Sequence, residues 1–169
     1  MDAETKPTGA KIDGVKDLRN TIDWLRAEGD LIDTDKEVNP DLEVVGIQKH
    51  LDGSCPILFE NVKGKPGNRV ITNLFGDISV INKMFGWEDD TDRTRKLAHA
   101  FSHPIEPQVI DSKDAPVHQH IIEKPNDVNE YMVPIRHTEY EPELTVGSGI
   151  RCATGEHFDG GTDLGYNRM

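Results

Sequence analysis

PILFENVKGKPGNRVITNLF, residues 56–75, is the stretch on which the fold turns. Its two ends, PILFENV and RVITNLF, are rich in β-branched and aromatic residues, and KGKPGN between them supplies the Gly and Pro that punctuate a turn. Two neighbouring strands are predicted. Upstream, Val15, Leu18, Ile22 and Leu25 recur at helical spacing and Gly29 follows as a C-cap, which predicts an amphipathic helix with Trp24 flanking its buried stripe. LIDTDKEV (31–38) reads as a short strand. Asn39 then serves as N-cap, with Pro40 at the first helical position and Asp41 and Glu43 at the positive end of a second helix that runs to about Leu51. Downstream, Asp77 caps a helix expected to carry Ile78, Ile81 and Phe85 inward, and a further helix with Leu97 and Phe101 inward runs up to Pro104. This alternation predicts an α/β fold, with residues 1–14 a flexible tail and residues 15–112 a compact N-terminal α/β domain.

Beyond residue 112 the character changes. Pro116, Pro125, Pro134 and Pro142 interrupt residues 113–145, which read as a segment crossing the surface. TVGSGIRCA and TDLGYNRM, separated by TGEHFDGG, then read as two strands of a hairpin. A lone hairpin is marginal in water, so residues 113–169 are expected to begin a second domain whose remaining strands lie elsewhere.

The 169 residues carry a formal charge of −12, with 35% hydrophobic and 30% charged residues. That is a globular composition, and its acidity argues against a general nucleic-acid binder, which needs a Lys and Arg excess to displace counterions. No apolar run approaches the roughly 18 residues of a membrane span, and the start lacks a signal-peptide pattern, so a cytoplasmic protein is expected. Cys55 and Cys152 have no CxxC spacing and read as reduced, structural thiols.

Common chemical motifs are absent. GSG at 147–149 cannot complete GxGxxG, because the third glycine would fall at Cys152 and no helix follows. GxxxxGK[ST], GxSxG and HExxH do not occur. His118 and His120, two apart, would share a face if their segment were a strand, but two imidazoles are only half a metal site. His99, His103, His137 and His157 read as lacking ligand spacing. The terminal strand is richer: Asp163 offers hard oxygen ligands suited to Mg²⁺ or Mn²⁺, and Arg168 a planar, permanent cation for a phosphate or carboxylate. An acid and an arginine on a strand are also commonly a solvated pair.

Four blocks, in order, resemble the UbiD family of prenylated-FMN-dependent decarboxylases. DLRNTIDWLRAEGDLIDTDKEVNPDLEVVGI is similar to that family's opening helix, strand and V-x-P-D-L-E helix start. PILFENVKGKPGNRVITNLFGD resembles its LLFENVKG-x-PG…NLFG hairpin, and VPIRHTEYEPELTVGSGI its approach to the flavin domain. DLGYNRM resembles its Asn-Leu-Gly-Ile-Tyr-Arg segment. The resemblance covers residues 15–169. It implies an N-terminal α/β domain leading into a split β-barrel that binds flavin. It also implies reversible, non-oxidative decarboxylation of an aromatic or α,β-unsaturated carboxylic acid.

The implied cofactors are prenylated FMN and Mn²⁺, with K⁺ as a further candidate ion, and a flavin prenyltransferase is the implied supplier. In the family the Asn of the last motif ligates the metal that holds the cofactor phosphate; Asp163 stands at that position here. Tyr166, Asn167 and Arg168 map onto cofactor contacts, and Arg168 matches the arginine that works beside the scissile carboxylate. Residues 163 and 168 have opposite parity, so a regular strand would turn them to opposite faces unless a bulge or strand end intervenes.

Family members continue well past this motif. The resemblance therefore implies an N-terminal fragment or one subunit of a split enzyme, inactive alone. The complete form would be a homo-oligomer, or a second chain would finish the barrel. The alternative is a non-catalytic scaffold that pairs with a partner through an open strand edge.

Overall fold

The computed structural model describes residues 15–52, 54–106, 108–147, 149–154 and 162–167, the last two ranges by backbone. The expected tail, His157 and Arg168 lie outside the described residues. So does most of the TGEHFDGG turn. The fold is mixed α/β, and it divides into two compact units, each assembled from two separate parts of the chain.

The unit formed by Ile32–Leu74 and the chain from Pro125 onward is built on a small sheet. Strands β1 (Ile32–Thr34), β2 (Ile57–Phe59) and β3 (Val70–Thr72) lie in the order β1-β2-β3. β2 pairs parallel with β1, Ile32 opposite Ile57, and antiparallel with β3, Ile57 opposite Thr72. Parallel pairing requires a crossover, supplied by helix α1 (Glu43–His50) between the two strands. The continuous apolar run of β2 reflects its central position: Ile57, Leu58 and Phe59 are each 1% exposed. Ile57 and Phe59 join Val38, Val44, Val62 and Val70 in one core cluster, with Ile47, Leu51, Val133 and Ile135 packed against it. Leu58, of opposite parity, is buried from the other face. The predicted turn at 63–68 has Gly64 and Gly67 at positive φ and holds residues 128–130: Lys65 Nζ donates to the Asn129 carbonyl, and Asn68 Nδ2 to that of Glu130.

The start of α1 differs from the sequence reading. The helix begins at Glu43, not Pro40, because residues 40–42 pair with a later segment. Asp41 forms a parallel bridge with Arg136; the Arg136 N–H donates to the Pro40 carbonyl and the Leu42 N–H to the Arg136 carbonyl. Asn39 still organises the entry: its Oδ1 accepts the Asp41 N–H at 3.0 Å, and Glu43 Oε2 accepts the Asn39 N–H at 2.7 Å. Leu42 takes the strain at φ 72°, a conformation that costs a residue with a side chain roughly 1–2 kcal/mol.

The other unit takes in the chain up to Leu31 together with Phe75–Lys124. Its helices are α2 (Leu18–Glu28), α3 (Ile78–Phe85) and α4 (Asp90–Ser102). Asp17, Asp77 and Asp89 cap them, accepting the N–H groups of Asn20, Ser79 and Asp92 respectively. Gly29 and Gly86 close α2 and α3 in the left-handed conformation. The buried face of α2 is Thr21, Ile22 and Leu25, with Leu18 half exposed. Lys83 of α3 reaches Glu28 at 2.9 Å and Asp30 at 2.7 Å and lies 5.9 Å from the centre of the Trp24 ring.

Two helix faces depart from expectation. On α3 the buried residues are Val80 and Met84, whereas Ile78 is half exposed and Phe85 40% exposed. The apolar stripe is wider than the surface that covers it, and Phe85 stacks instead on Trp87 at 4.8 Å. On α4, Leu97 is 42% and Phe101 88% exposed. This helix is seated by its first turn, through buried Asp92, so its apolar C-terminal half lacks a covering surface among the described residues. The segment of His118 and His120 is also not a strand: Pro116–His118 is a 3₁₀ turn.

Truncation of the central strand, Phe59→Ala, should destabilise the chain by about 3–5 kcal/mol in urea unfolding, since the side chain is fully buried. Asp92 supplies a pH signature. Its carboxylate takes hydrogen bonds from Lys96, Arg95 and the Glu88 N–H, which lower its pKa from 3.8 to about 2. Its stabilisation is therefore fully present above pH 3.8 and lost as pH falls toward 2. Thermal melts of Asp92→Asn should show a shallower loss of Tm between pH 4 and 2 than the wild type; parallel curves would contradict the assignment.

Candidate functional site

The candidate site residues lie on the C-terminal hairpin, in the sheet-bearing unit. Strand β4 (Gly149–Thr154) pairs antiparallel with β5 (Thr162–Asn167), as the alternating sequence predicts. The register is one-to-one throughout: Thr154 opposite Thr162, Ala153 opposite Asp163, Ile150 opposite Tyr166 and Gly149 opposite Asn167. No bulge interrupts β5 between 162 and 167. Asp163 thus stands near the start of β5, and Tyr166 and Asn167 at its end, beside the first residues of β4. Arg168, the next residue, is outside the described residues, as are the side chains of Asp163, Tyr166 and Asn167. Among the described residues, no group of three or more His, Cys, Asp or Glu side chains is placed to hold a metal.

The segment that leads into β4 carries a polar cluster that the sequence reading did not single out. Ile135 and Thr145 form an antiparallel bridge, each donating its N–H to the other's carbonyl, at 2.8 and 2.9 Å. Between them the chain folds around Glu141, which is 9% exposed. Its Oε2 accepts the His137 N–H at 2.6 Å and lies 3.4 Å from His137 Nδ1. Thr145 Oγ1 is 3.4 Å from the same ring nitrogen. The other edge of the imidazole faces Gly147, where a Cβ would stand 3.7 Å from Nε2.

Arg136 ties this loop to the core of the unit. Its Nε donates to the Glu141 carbonyl at 3.0 Å and an Nη to that of Glu139 at 3.3 Å, while the other Nη forms an ion pair with Asp41 at 3.5 Å. Hydrogen bonds from a charged donor are the stronger element here; the half-exposed Asp41 pair contributes less than about 1 kcal/mol. The fork of the guanidinium suits this role, because one side chain satisfies two loop carbonyls and a carboxylate at once. A buried acid four residues after a histidine was the available signal for Glu141. Nothing local marks Arg136, whose partners come from residues 41, 139 and 141.

The chemistry available to the hairpin follows from its donors. Asp163 carries a hard anionic oxygen pair, Asn167 an amide and Tyr166 a hydroxyl, a set suited to a hard divalent cation and to phosphate oxygens. The loop at the root of β4 supplies rigidity by burying one of its carboxylates, Glu141, with partners. Glu141→Ala should leave the His137 N–H without its acceptor and loosen the Ile135–Thr145 bridge. Amide hydrogen exchange at Ile135 and Thr145 is expected to accelerate by about tenfold, from a loss of roughly 1–2 kcal/mol of local stability. Unchanged protection there would show that the cluster does not hold the root of the hairpin.

Comparison with known proteins gives a consistent result. Residues 22–101 match the family described as the 3-octaprenyl-4-hydroxybenzoate carboxy-lyase N-terminal domain, UbiD_N. The chain is 27% identical over 147 residues to a gallate decarboxylase of Lactiplantibacillus plantarum, covering 78% of this chain and 30% of that relative. It is 30% identical over 122 residues to a phenolic acid decarboxylase of Sedimentibacter hydroxybenzoicus, covering 68% of this chain and 25% of the relative. Among solved structures, an evolved dimeric form of the UbiD-class enzyme HmfF from Pelotomaculum thermopropionicum, in complex with prFMN, superposes with a TM-score of 0.76. That match has 27% identity and covers 89% of this chain and 35% of the HmfF chain. The closed form of the Sedimentibacter hydroxybenzoicus vanillic acid decarboxylase superposes at 0.80 with 22% identity, a likeness of fold. The chain thus spans about a third or less of the proteins it matches.

Proposed function

Since the chain belongs, through residues 22–101, to the UbiD family as an N-terminal portion, we propose that it serves non-oxidative, reversible decarboxylation of an aromatic or α,β-unsaturated carboxylic acid with prenylated FMN. The observation that carries this reading is the match across 89% of the chain to HmfF, a UbiD-class enzyme in complex with prFMN. In this reading residues 15–112 form the N-terminal α/β domain and residues 113–169 begin the flavin-binding split barrel. A flavin prenyltransferase supplies the cofactor.

The donor set of β5 suits the group. Asp163 would hold Mn²⁺ through a carboxylate oxygen, and the ion in turn the cofactor phosphate. Tyr166 and Asn167 would contact the cofactor. Arg168 would orient the substrate carboxylate through a bidentate pair, a fixed cation that costs no reorganisation when charge shifts during the reaction. The modified flavin, when bound, supplies the electron sink that loss of CO₂ from carbon requires. Asp163 and Asn167 have like parity along β5, whereas Tyr166 differs. A shared site therefore needs the cofactor to pass the end of β5 rather than lie flat on one face.

The reading takes the chain as an N-terminal fragment or split subunit, completed by the remaining two thirds of the fold. Exposed apolar side chains support this: Phe101, Ile105, Val109 and Val117 are each at least 79% exposed. Co-expression of the chain with the complementary part of a UbiD-class relative, followed by loading with prenylated FMN and Mn²⁺, tests the proposal. Flavin absorbance should co-elute with the assembly, and Asp163→Ala should abolish it while the complex persists. A complex whose flavin content ignores Asp163→Ala would instead favour a non-catalytic scaffold. The 169-residue chain alone, with cofactor, should give no CO₂ release; turnover by it would overturn the fragment reading.

A further inference from the structure

HAFSH, residues 99–103, places two histidines four apart at the C-terminal end of α4. The sequence reading assigned these residues no ligand spacing. An i, i+4 pair on one helix face is nevertheless the spacing with which helices present two imidazoles to one zinc ion. The structure brings the rings together: the His99 and His103 rings stack with centroids 4.1 Å apart and planes 21° from parallel, and both residues are exposed.

A second feature concerns the tautomer. His103 Nδ1 lies 3.0 Å from the His99 carbonyl oxygen. A carbonyl only accepts, so in this contact Nδ1 carries the hydrogen and Nε2 keeps its lone pair. Donation of one ring N–H to a backbone carbonyl is the arrangement by which proteins orient a metal-binding imidazole.

We propose that His99 and His103 form a two-imidazole chelate for a divalent first-row transition ion, of which Zn²⁺ is the probe. With metal–nitrogen distances of about 2.0–2.1 Å, a tetrahedral ion needs its two nitrogens about 3.3 Å apart. The rings, stacked with centroids 4.1 Å apart, turn out of their stack to converge two nitrogens on one ion, a rotation of two exposed side chains. Water fills the remaining positions. The position after His99 is Ala100, so the general base of the HExxH enzymes is absent and the site binds without hydrolytic chemistry. It is chemically separate from the ion proposed for Asp163: imidazole favours Zn²⁺, Ni²⁺ or Cu²⁺, whereas carboxylate oxygen favours Mn²⁺ or Mg²⁺. The bound ion would bridge the last turn of α4 and the residue that precedes Pro104, fastening the helix where it ends.

The test is a Zn²⁺ titration of the 169-residue chain by calorimetry, for the wild type, His99→Gln, His103→Gln and the double variant H118Q/H120Q. Both residues are exposed, and far-UV circular dichroism without metal checks that each variant folds. The proposal expects one Zn²⁺ per chain, weakened by about tenfold or more in either single variant and unchanged in H118Q/H120Q. Added Zn²⁺ should raise Tm in the wild type and not in His99→Gln or His103→Gln. Titrations of the two single variants that overlay the wild type, or a loss confined to H118Q/H120Q, would overturn it.

Discussion

The pairing of Ile57–Phe59 with a parallel strand on one side and an antiparallel strand on the other is the constraint on which the sheet-bearing unit depends. A three-residue strand has few ladder bonds, so it persists because its side chains leave water on both faces. Parallel pairing to β1 obliges the chain to cross over, and α1 is that crossover. Val44 of the helix then meets Ile57 and Phe59, and Val133 and Ile135 join the same cluster from more than seventy residues later in the chain. The cluster thereby fixes the point from which residues 135–147 depart toward β4.

That departure is governed by polar rather than apolar contacts. Arg136 spans Asp41 and the carbonyls of Glu139 and Glu141, and the Glu141 carboxylate holds the His137 backbone. Leu42 accepts a positive φ so that Pro40, Asp41 and Leu42 can pair with this loop. Strain at one residue is offset by a set of charge-assisted and backbone bonds, and the hairpin inherits a rooted start. The site proposed on β5 would need such a root, because positions that meet both an ion and an anionic ligand tolerate little displacement.

The two metal chemistries inferred for the chain separate by ligand softness. The hairpin presents oxygen donors, suited to an ion that carries a phosphate; α4 presents imidazoles, suited to an ion that clamps a helix end. His99 rests on helix backbone and Asp163 on strand backbone, which orient side chains more firmly than a loop does.

Much of the local structure was legible from residue types alone. The caps at Asp77 and Gly29, the strands around KGKPGN and the terminal hairpin all depend on contacts within a few residues, and short-range sterics and hydrogen bonding decide them. The candidate residues Asp163, Tyr166 and Asn167 come from the order of motifs, and the hairpin register gives only their place on the backbone. What only the tertiary structure decided was the outcome of competition between distant partners. The α1 start moved to Glu43 because Arg136 claimed residues 40–42. The inward face of α3 became Val80 and Met84, and Leu97 and Phe101 remained in water because apolar periodicity specifies a stripe but not what covers it. Helix and turn signals are local sums; burial and strand partnership are set by which surfaces meet, and no window of sequence contains that information.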